Sequence, residues 1–297
     1  VSTAAVVVRW RGGDEVDRCL RSLLEHGGEE LQRVVLVDSG SADGGAERIA
    51  LDFERVEVLA LEENRSFAWA AGRGVERCDE DLLLILNPDA ALIEGSLRSL
   101  CEALADRPEA AGVVPLLVDV NGRPQHRWQL RLLPGWSRLA AGLPGAPQFP
   151  TAPPVQIEPV EQPAAAAWLV RREVWSALGG LDPVFAPAWW EDVDFCARLK
   201  SGLGETGFPA REGFSMVPGA RIQHHGGLSL SELSQLEFAT IFYANLLRYA
   251  ERHHRRRLGL IRVGLRLSLI ARSLLRPQRS PAYLGAMRAI SHTSREA

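Results

Sequence analysis

The sequence predicts an α/β protein in which a parallel sheet is flanked by crossover helices and followed by a helical C-terminal segment. Three observations carry this. Four short apolar runs of buried-strand type lie within the first 90 residues, at 4–8 (AAVVV), 34–38 (VVLVD), 56–60 (VEVLA) and 82–86 (LLLIL). The stretches between them have helical spacing. The charge changes sign late in the chain: from Arg248 onward there are 12 arginines and 2 acidic residues, whereas the first 247 positions hold 22 basic and 35 acidic residues. Parallel strands need long crossovers, usually helices, so the β-α-β-α-β-α-β order over residues 1–110 reads as a nucleotide-binding half-sheet.

The elements follow in order. In DEVDRCLRSLLEH, Val16, Leu20, Leu23 and Leu24 fall on one helical face. SADGGAERIALDF opens with a Ser-x-Asp capping signal. VDVNGRPQHRWQL carries an Asn121-Gly122 hairpin signal between two candidate strands. Residues 134–163, rich in Pro, Gly and Ala, read as a long functional or mobile loop. AAAAWLVRREVWSALGG reads as a strand entering a helix that ends at Gly179-Gly180. WWEDVDFCARLKSGLG reads as a loop opening a helix with acidic residues in its first turn. After His225 the pattern is helical to about Arg276.

Composition sets bounds. The 297 residues, 46% hydrophobic and 24% charged, suit a globular protein with an ample core. The four cysteines, Cys19, Cys78, Cys101 and Cys196, form no C-x-x-C, so neither a disulfide framework nor a structural zinc site is expected, and a reducing cytoplasm is. No basic leader precedes AAVVV, and no uncharged apolar run reaches the ~18 residues of a membrane span. An acidic body with a basic tail implies that the tail meets something anionic; no nucleic acid is expected.

Several polar residues sit where chemistry could use them. Asp38 ends the second strand and Asp89 the fourth, so two carboxylates share one sheet edge if both strands are parallel. Asn87-Pro88-Asp89 is also ordinary turn chemistry. Glu191 and Asp192 stand at a helix start, where acidic residues complement the helix dipole. They follow Trp189 and Trp190, whose ring faces suit a ligand, and a carboxylate there could serve as general base. His224 and His225 are loop residues or, with a carboxylate, a divalent-metal site. No phosphate-loop motif is present, and no Gly-x-Gly-x-x-Gly follows the first strand.

The order of these signals resembles the family 2 glycosyltransferases with a GT-A fold, over about residues 4–229. VVVRWRGGDEVDRCLRSL looks like the family's opening strand and helix. VVLVDSGSADGG is similar to its V-D-N-G-S-x-D-G motif. LLLILNPDAAL resembles the L-N-P-D variant of its D-x-D, a form familiar in rhamnosyltransferase-like members. LGGLDPVF…WWEDVDFCARL looks like G-G-F-D-x-x-F…E-D-x-D-x-x-x-R, and HHGGLS like H-x-x-G-x-S. The sequence departs from the pattern at Arg9, Arg11, Gly72 and Arg73.

The resemblance implies an inverting transfer of a sugar from a nucleotide-diphosphate donor (dTDP-rhamnose or a UDP-sugar) to an acceptor hydroxyl, in cell-surface polysaccharide or glycolipid synthesis. It implies Mg²⁺ or Mn²⁺ held by Asp89 and His224. It places Arg9, Asp38, Ser39, Asn87 and Asp89 on the donor, Trp189 and Trp190 on the acceptor, and Asp192, with Glu191, in catalysis. Residues 1–110 would be the donor half, 111–230 the acceptor and catalytic half of the same domain, and 231–297 a helical segment. The acceptor would be a glycan, a glycolipid or a small-molecule hydroxyl. Two alternatives stay open: an inactive homologue acting as a binding subunit, and a sugar nucleotidyltransferase. In the tail, Arg255, Arg262, Arg266 and Arg276 fall within a face of about 80° at 100° per residue, with apolar residues over the remainder. That pattern suits either an interfacial helix at an anionic membrane, which would place the protein at the inner face of the plasma membrane, or a helix packed on the catalytic domain.

Overall fold

The computed structural model describes residues 1–203, 205–226 and 233–292. Strands β1 (Thr3–Arg9), β2 (Leu31–Ser39), β3 (Glu57–Leu61) and β4 (Leu82–Leu86) alternate with helices α1 (Asp14–His26), α2 (Gly45–Asp52) and α3 (Phe67–Val75). After β4 the chain makes a three-residue strand β5 (Ala90–Leu92), then α4 (Ser96–Ala105) and β6 (Ala110–Val118). The second half adds α5 (His126–Gln129), β7 (Leu130–Arg131), α6 (Trp136–Ala140), β8 (Glu158–Val160), β9 (Gln162–Pro163) and β10 (Ala167–Arg171). Helices α7 (Arg172–Leu178) and α8 (Glu191–Gly202) and strand β11 (Glu212–His224) complete the body. Helices α9 (Gln235–His253), α10 (Leu258–Leu275) and α11 (Ser280–His292) follow.

One nine-stranded sheet runs in the order β3-β2-β1-β4-β10-β6-β11-β5, with β8 also on β11. The pairs β1–β2, β2–β3 and β1–β4 are parallel, so Asp38, at the carboxyl end of β2, and the Asn87-Pro88-Asp89 turn, just past β4, lie at the same edge. β10 is antiparallel to both β4 and β6. Period-two alternation along β1 serves both faces: Ala4, Val6 and Val8 join the layer with α3, α7 and α8, whereas Ala5 and Val7 join the layer with α1 and α4. A sheet buried on both sides reads as continuous apolar runs, which is why these strands were visible in the sequence.

Three expectations change. Asn121-Gly122 does make a tight turn, with Gly122 at φ +75°. The hairpin, however, is a single bridge, Val118 to Pro124, and the expected second strand is the short helix α5. Residues 134–163 are not one long loop, because α6 and β8 form within them. Helical structure also continues beyond Arg276. Pro281 falls in the first turn of α11, where proline's missing N–H is no loss. The three last helices enclose their own core with Phe185, Trp190 and Val193.

Candidate active site

The donor edge begins at Asp38. One carboxylate oxygen accepts the Ser41 amide at 2.8 Å. The other receives the guanidinium of Arg9, which is 1% exposed and also reaches Asp43 at 2.7 Å. A charge that deep persists only when paired, and two carboxylates pair it. Glycine makes room: a Cβ on Gly45 would sit 2.4 Å from the Arg9 guanidinium. Gly40, at φ +66°, brings the turn so close to Glu63 that a Cβ would lie 2.5 Å from its backbone. Ser39 donates to the Asn64 amide oxygen at 3.1 Å. Asp38, Gly40, Asp43, Ala60 and Leu61 line an open groove at the ends of β2 and β3.

The second cluster forms because β5 pairs antiparallel with β11, setting His224 opposite Ala90 and therefore beside Asp89. Asp89 and His224 are both buried, with Oδ1 and Nε2 3.4 Å apart. The Gly226 amide donates to the other oxygen of Asp89 at 3.0 Å. Gln125 fixes the imidazole. Its Nε2 donates to the His224 carbonyl at 2.9 Å, so its Oε1 must face Nδ1, at 3.1 Å, and accept a hydrogen bond from Nδ1–H. Burial also pushes the His224 pKa down against the pull of Asp89. The neutral ring therefore turns the lone pair of Nε2 toward Asp89 and toward the Asn87 amide, 3.4 Å away.

Two acceptors facing each other without a proton between them fit a divalent cation, which would relieve their repulsion. A neutral imidazole whose other ring nitrogen is fixed by a hydrogen-bond acceptor, here the Gln125 amide, is the usual form of a histidine ligand. Among the described residues no three His, Cys, Asp or Glu side chains gather to hold a metal by themselves. A cation at Asp89 and His224 would thus take its remaining ligands from water and from a phosphate-bearing ligand, as Mg²⁺ commonly does.

The third cluster stands on a strained loop. Trp189 and Trp190 both have left-handed backbone, φ +69° and +79°, which costs bulky residues of order 1–3 kcal/mol each. Helix α9 holds them there. Asn245, fully buried, donates to the carbonyls of Phe185 and Ala188 at 2.9 Å and of Trp189 at 3.1 Å. The ring of Trp190 is 2% exposed and packs on Phe242 and Tyr249, so its faces are taken by the helix and not open to a ligand. Trp189 is half-buried against the edge of Phe238.

Glu191 and Asp192 follow directly. Glu191 is buried with one carboxylate oxygen lacking a partner, and burial together with the charge of Asp192 drives its pKa well up. Burial also raises Asp192, although Arg131 pulls the other way. Asp192 accepts long hydrogen bonds from Gln162, 3.3 Å, and from the Ala165 amide, 3.4 Å. The next residue, Ala166, accepts the Asn87 amide at 2.9 Å. Two consecutive residues in the turn that leads into β10 thus join Asp192 to the Asn87-Pro88-Asp89 turn. Asp194, 0% exposed, pairs with Arg198 at 2.7 Å, His253 at 2.8 Å and Arg252 at 2.9 Å, locking α8 to α9. Sequence reasoning missed Gln125 and Asn245, and it gave no role to Asp194 and Arg198, the last Asp and the Arg of E-D-x-D-x-x-x-R. The i,i+4 spacing of Asp194 and Arg198 could have pointed to that pair; nothing in YANLL marks Asn245. Of the motif HHGGLS, Gly227, Leu228 and Ser229 lie outside the described residues.

The family model described as Glycosyl transferase family 2 matches residues 5–159, more than half of the chain. The chain belongs to glycosyl transferase family 2. This transferase is 27% identical, over 91% of both chains, to the N-acetylglucosaminyl-diphospho-decaprenol L-rhamnosyltransferase of two strains of Mycobacterium tuberculosis. Among solved structures it is similar to GalNAc-T7 with UDP, GalNAc and Mn²⁺, with a TM-score of 0.65 and 17% identity over 84% of this chain. The match covers 48% of GalNAc-T7, so the transferase spans about half the length of that chain. It is also similar to the mannosyltransferase PcManGT from Pyrobaculum calidifontis with GDP-Man and Mn²⁺, with a TM-score of 0.58 and 14% identity over 99% of this chain and 87% of that one. S. aureus TarS 1-349 aligns over 97% of this chain and 89% of its own, at 15% identity and a TM-score of 0.54. At these identities the likeness is one of fold, and the fold is GT-A.

Proposed function

We propose that the transferase moves a rhamnosyl residue, from dTDP-rhamnose or a related nucleotide-diphosphate sugar, to a hydroxyl of a lipid-linked N-acetylglucosamine acceptor in cell-wall polysaccharide synthesis. The mycobacterial relatives supply the acceptor class and the sugar. The observation that carries the chemistry is the junction at Ala165 and Ala166, which ties a candidate base to a candidate diphosphate site. On this reading residues 1–110 hold the donor. Arg9, Asp38 and Ser39 shape its nucleoside end, and Asn87 and Asp89 meet the diphosphate. Residues 111–230 hold the acceptor beside Trp189, with Trp190 beneath it bracing the loop. Asp89 and His224 would hold Mg²⁺ or Mn²⁺, which offsets charge on the departing nucleoside diphosphate. Asp192, made more basic by burial, takes the proton of the acceptor hydroxyl. Attack from the face opposite the diphosphate inverts the anomeric centre. Glu191, more strongly raised, holds its proton and spares the pair a double negative charge.

Titration calorimetry with dTDP and with UDP, with and without Mn²⁺, tests this for the wild type and Asp89→Ala. Metal should tighten wild-type binding of the nucleoside diphosphate. The Asp89→Ala variant should show no metal dependence. Unchanged metal dependence in that variant would remove Asp89 from the site. A transfer assay with each nucleotide sugar and a polyprenyl-diphospho-N-acetylglucosamine acceptor then fixes donor and acceptor.

A further inference from the structure

Helix α10 has two apolar faces, and only one is covered. Ile261, Leu265 and Leu269 are buried against α6, α9 and α11. Leu260, Val263, Leu267, Ile270 and Leu274 recur at alternating three- and four-residue spacing. At 100° per residue they form a stripe about 80° wide on the opposite side. All five are exposed, Leu260 by 59%, Leu267 by 62% and Leu274 by 78%. Single exposed leucines are ordinary, but a continuous row of five marks an interaction surface. The broad apolar surface expected from the sequence is therefore split in two, and packing on the body accounts for half of it.

Charge identifies what covers the other half. From Arg252 to His292 the chain holds ten arginines and no acidic residue. Arg252 and Arg262 pair with carboxylates of the preceding elements. Arg255, Arg256 and Arg257 lie exposed at the start of the helix, Arg266 lies exposed beside the stripe, and Arg276 and Arg279 lie exposed at its end. The guanidinium of Arg257 stands 4.8 Å above the ring of Trp136, itself 39% exposed. A second copy of the chain fits poorly. It would bring two arginine-rich surfaces together with no acid between them, and five side chains fall well short of the ~800 Å² per partner that a stable interface buries. Among the described residues no helix is long and apolar enough to cross a membrane.

We propose that α10 lies in the interfacial plane of an anionic lipid bilayer. Leu260, Val263, Leu267, Ile270 and Leu274 enter the acyl boundary, and the exposed arginines meet lipid phosphates. The surface stands apart from the transfer reaction, because binding needs neither donor nor acceptor; it would bring the site to a lipid-linked acceptor.

Co-sedimentation of the full chain with phosphatidylcholine vesicles, with and without phosphatidylglycerol, tests the proposal. Binding should appear with the anionic lipid and fall as salt rises. The variant Leu260→Ser/Leu267→Ser/Leu274→Ser should bind at least ~100-fold more weakly, since each apolar CH₂ withdrawn from the bilayer costs several-fold. The variant Arg256→Gln/Arg266→Gln should weaken binding roughly five-fold per arginine. All five positions are exposed, so unchanged melting curves certify folded variants. The proposal is overturned by absence of wild-type binding at low salt, or by equal binding of the leucine variant. It is overturned equally by a wild-type dimer that the leucine variant turns into a monomer, which would assign the stripe to a second copy. Loss of vesicle binding in a variant that still transfers to a soluble acceptor supports the membrane role and leaves the transferase reading intact. Vesicle binding without any transfer also supports the membrane role and counts against the transferase reading.

Discussion

Asp38 and Asp89 are presented by strands buried on both faces, and their immediate partners come from the sheet and its edge turns: Ser41 and Arg9 on Asp38, His224 at the end of β11 and Gly226 just beyond it on Asp89. Glu191 and Asp192 are presented by a strained pair of tryptophans that has no such local support. Their loop is held by Asn245, 57 residues beyond Ala188, and by Asp194 gripping α9. The donor edge is therefore rigid as soon as the sheet forms. The geometry of the carboxylate loop depends on contacts with the docked C-terminal helices. A single chain has thus separated a donor site that depends on its sheet from a catalytic loop that depends on its tail.

Three substitutions sharpen or break this contrast. Asp192→Asn should have the largest effect, a loss of ~10²–10⁴ in transfer rate with donor affinity unchanged. Steady-state kinetics beside calorimetry reads both, and near wild-type transfer in Asp192→Asn with loss in Glu191→Gln would exchange their roles. Asp194→Asn comes next. Breaking so buried a cluster should cost ~3 kcal/mol of stability at neutral pH. Burial alone would raise the Asp194 pKa, but bonds from His253, Arg198 and Arg252 outweigh it and hold it below the usual carboxylate value. Its contribution is complete above the ordinary range near 4 and is lost as pH falls through the lowered value. Urea melts at pH 7 and below pH 4 should therefore show the gap between variant and wild type closing in acid; a constant gap would mean that Asp194 acts through packing.

Asn245→Ala should be the mildest. Leaving buried carbonyls unpaired costs ~1–3 kcal/mol, and relaxing the left-handed tryptophans should lower kcat several-fold without changing the KM for the donor. Thermal melts and donor titrations separate the two readouts. A rise in donor KM equal to the fall in kcat would show that the two regions are coupled after all.

The residues that the sequence exposed and those it hid differ in how far their partners lie along the chain. The apolar runs of β1, β2 and β4, the turn residues after Asp38 and the Asn87-Pro88-Asp89 triplet were legible because periodicity and turn chemistry are local. Asp89 and His224 could be named separately, but only the antiparallel register of β5 on β11 sets them 3.4 Å apart. Arg9 was legible only as a departure from a motif; its pairing with Asp38 and Asp43 needs two strands and a glycine that clears space. Asn245 was invisible, because an asparagine on an amphipathic helix carries no local mark of the carbonyls it will meet. The tail shows the same division. Its charge and its apolar content are legible residue by residue, since both are sums over the chain. Which leucines are covered and which face outward depended on the side of α10 that met α6, α9 and α11, and packing between distant elements is a property that only the folded chain possesses.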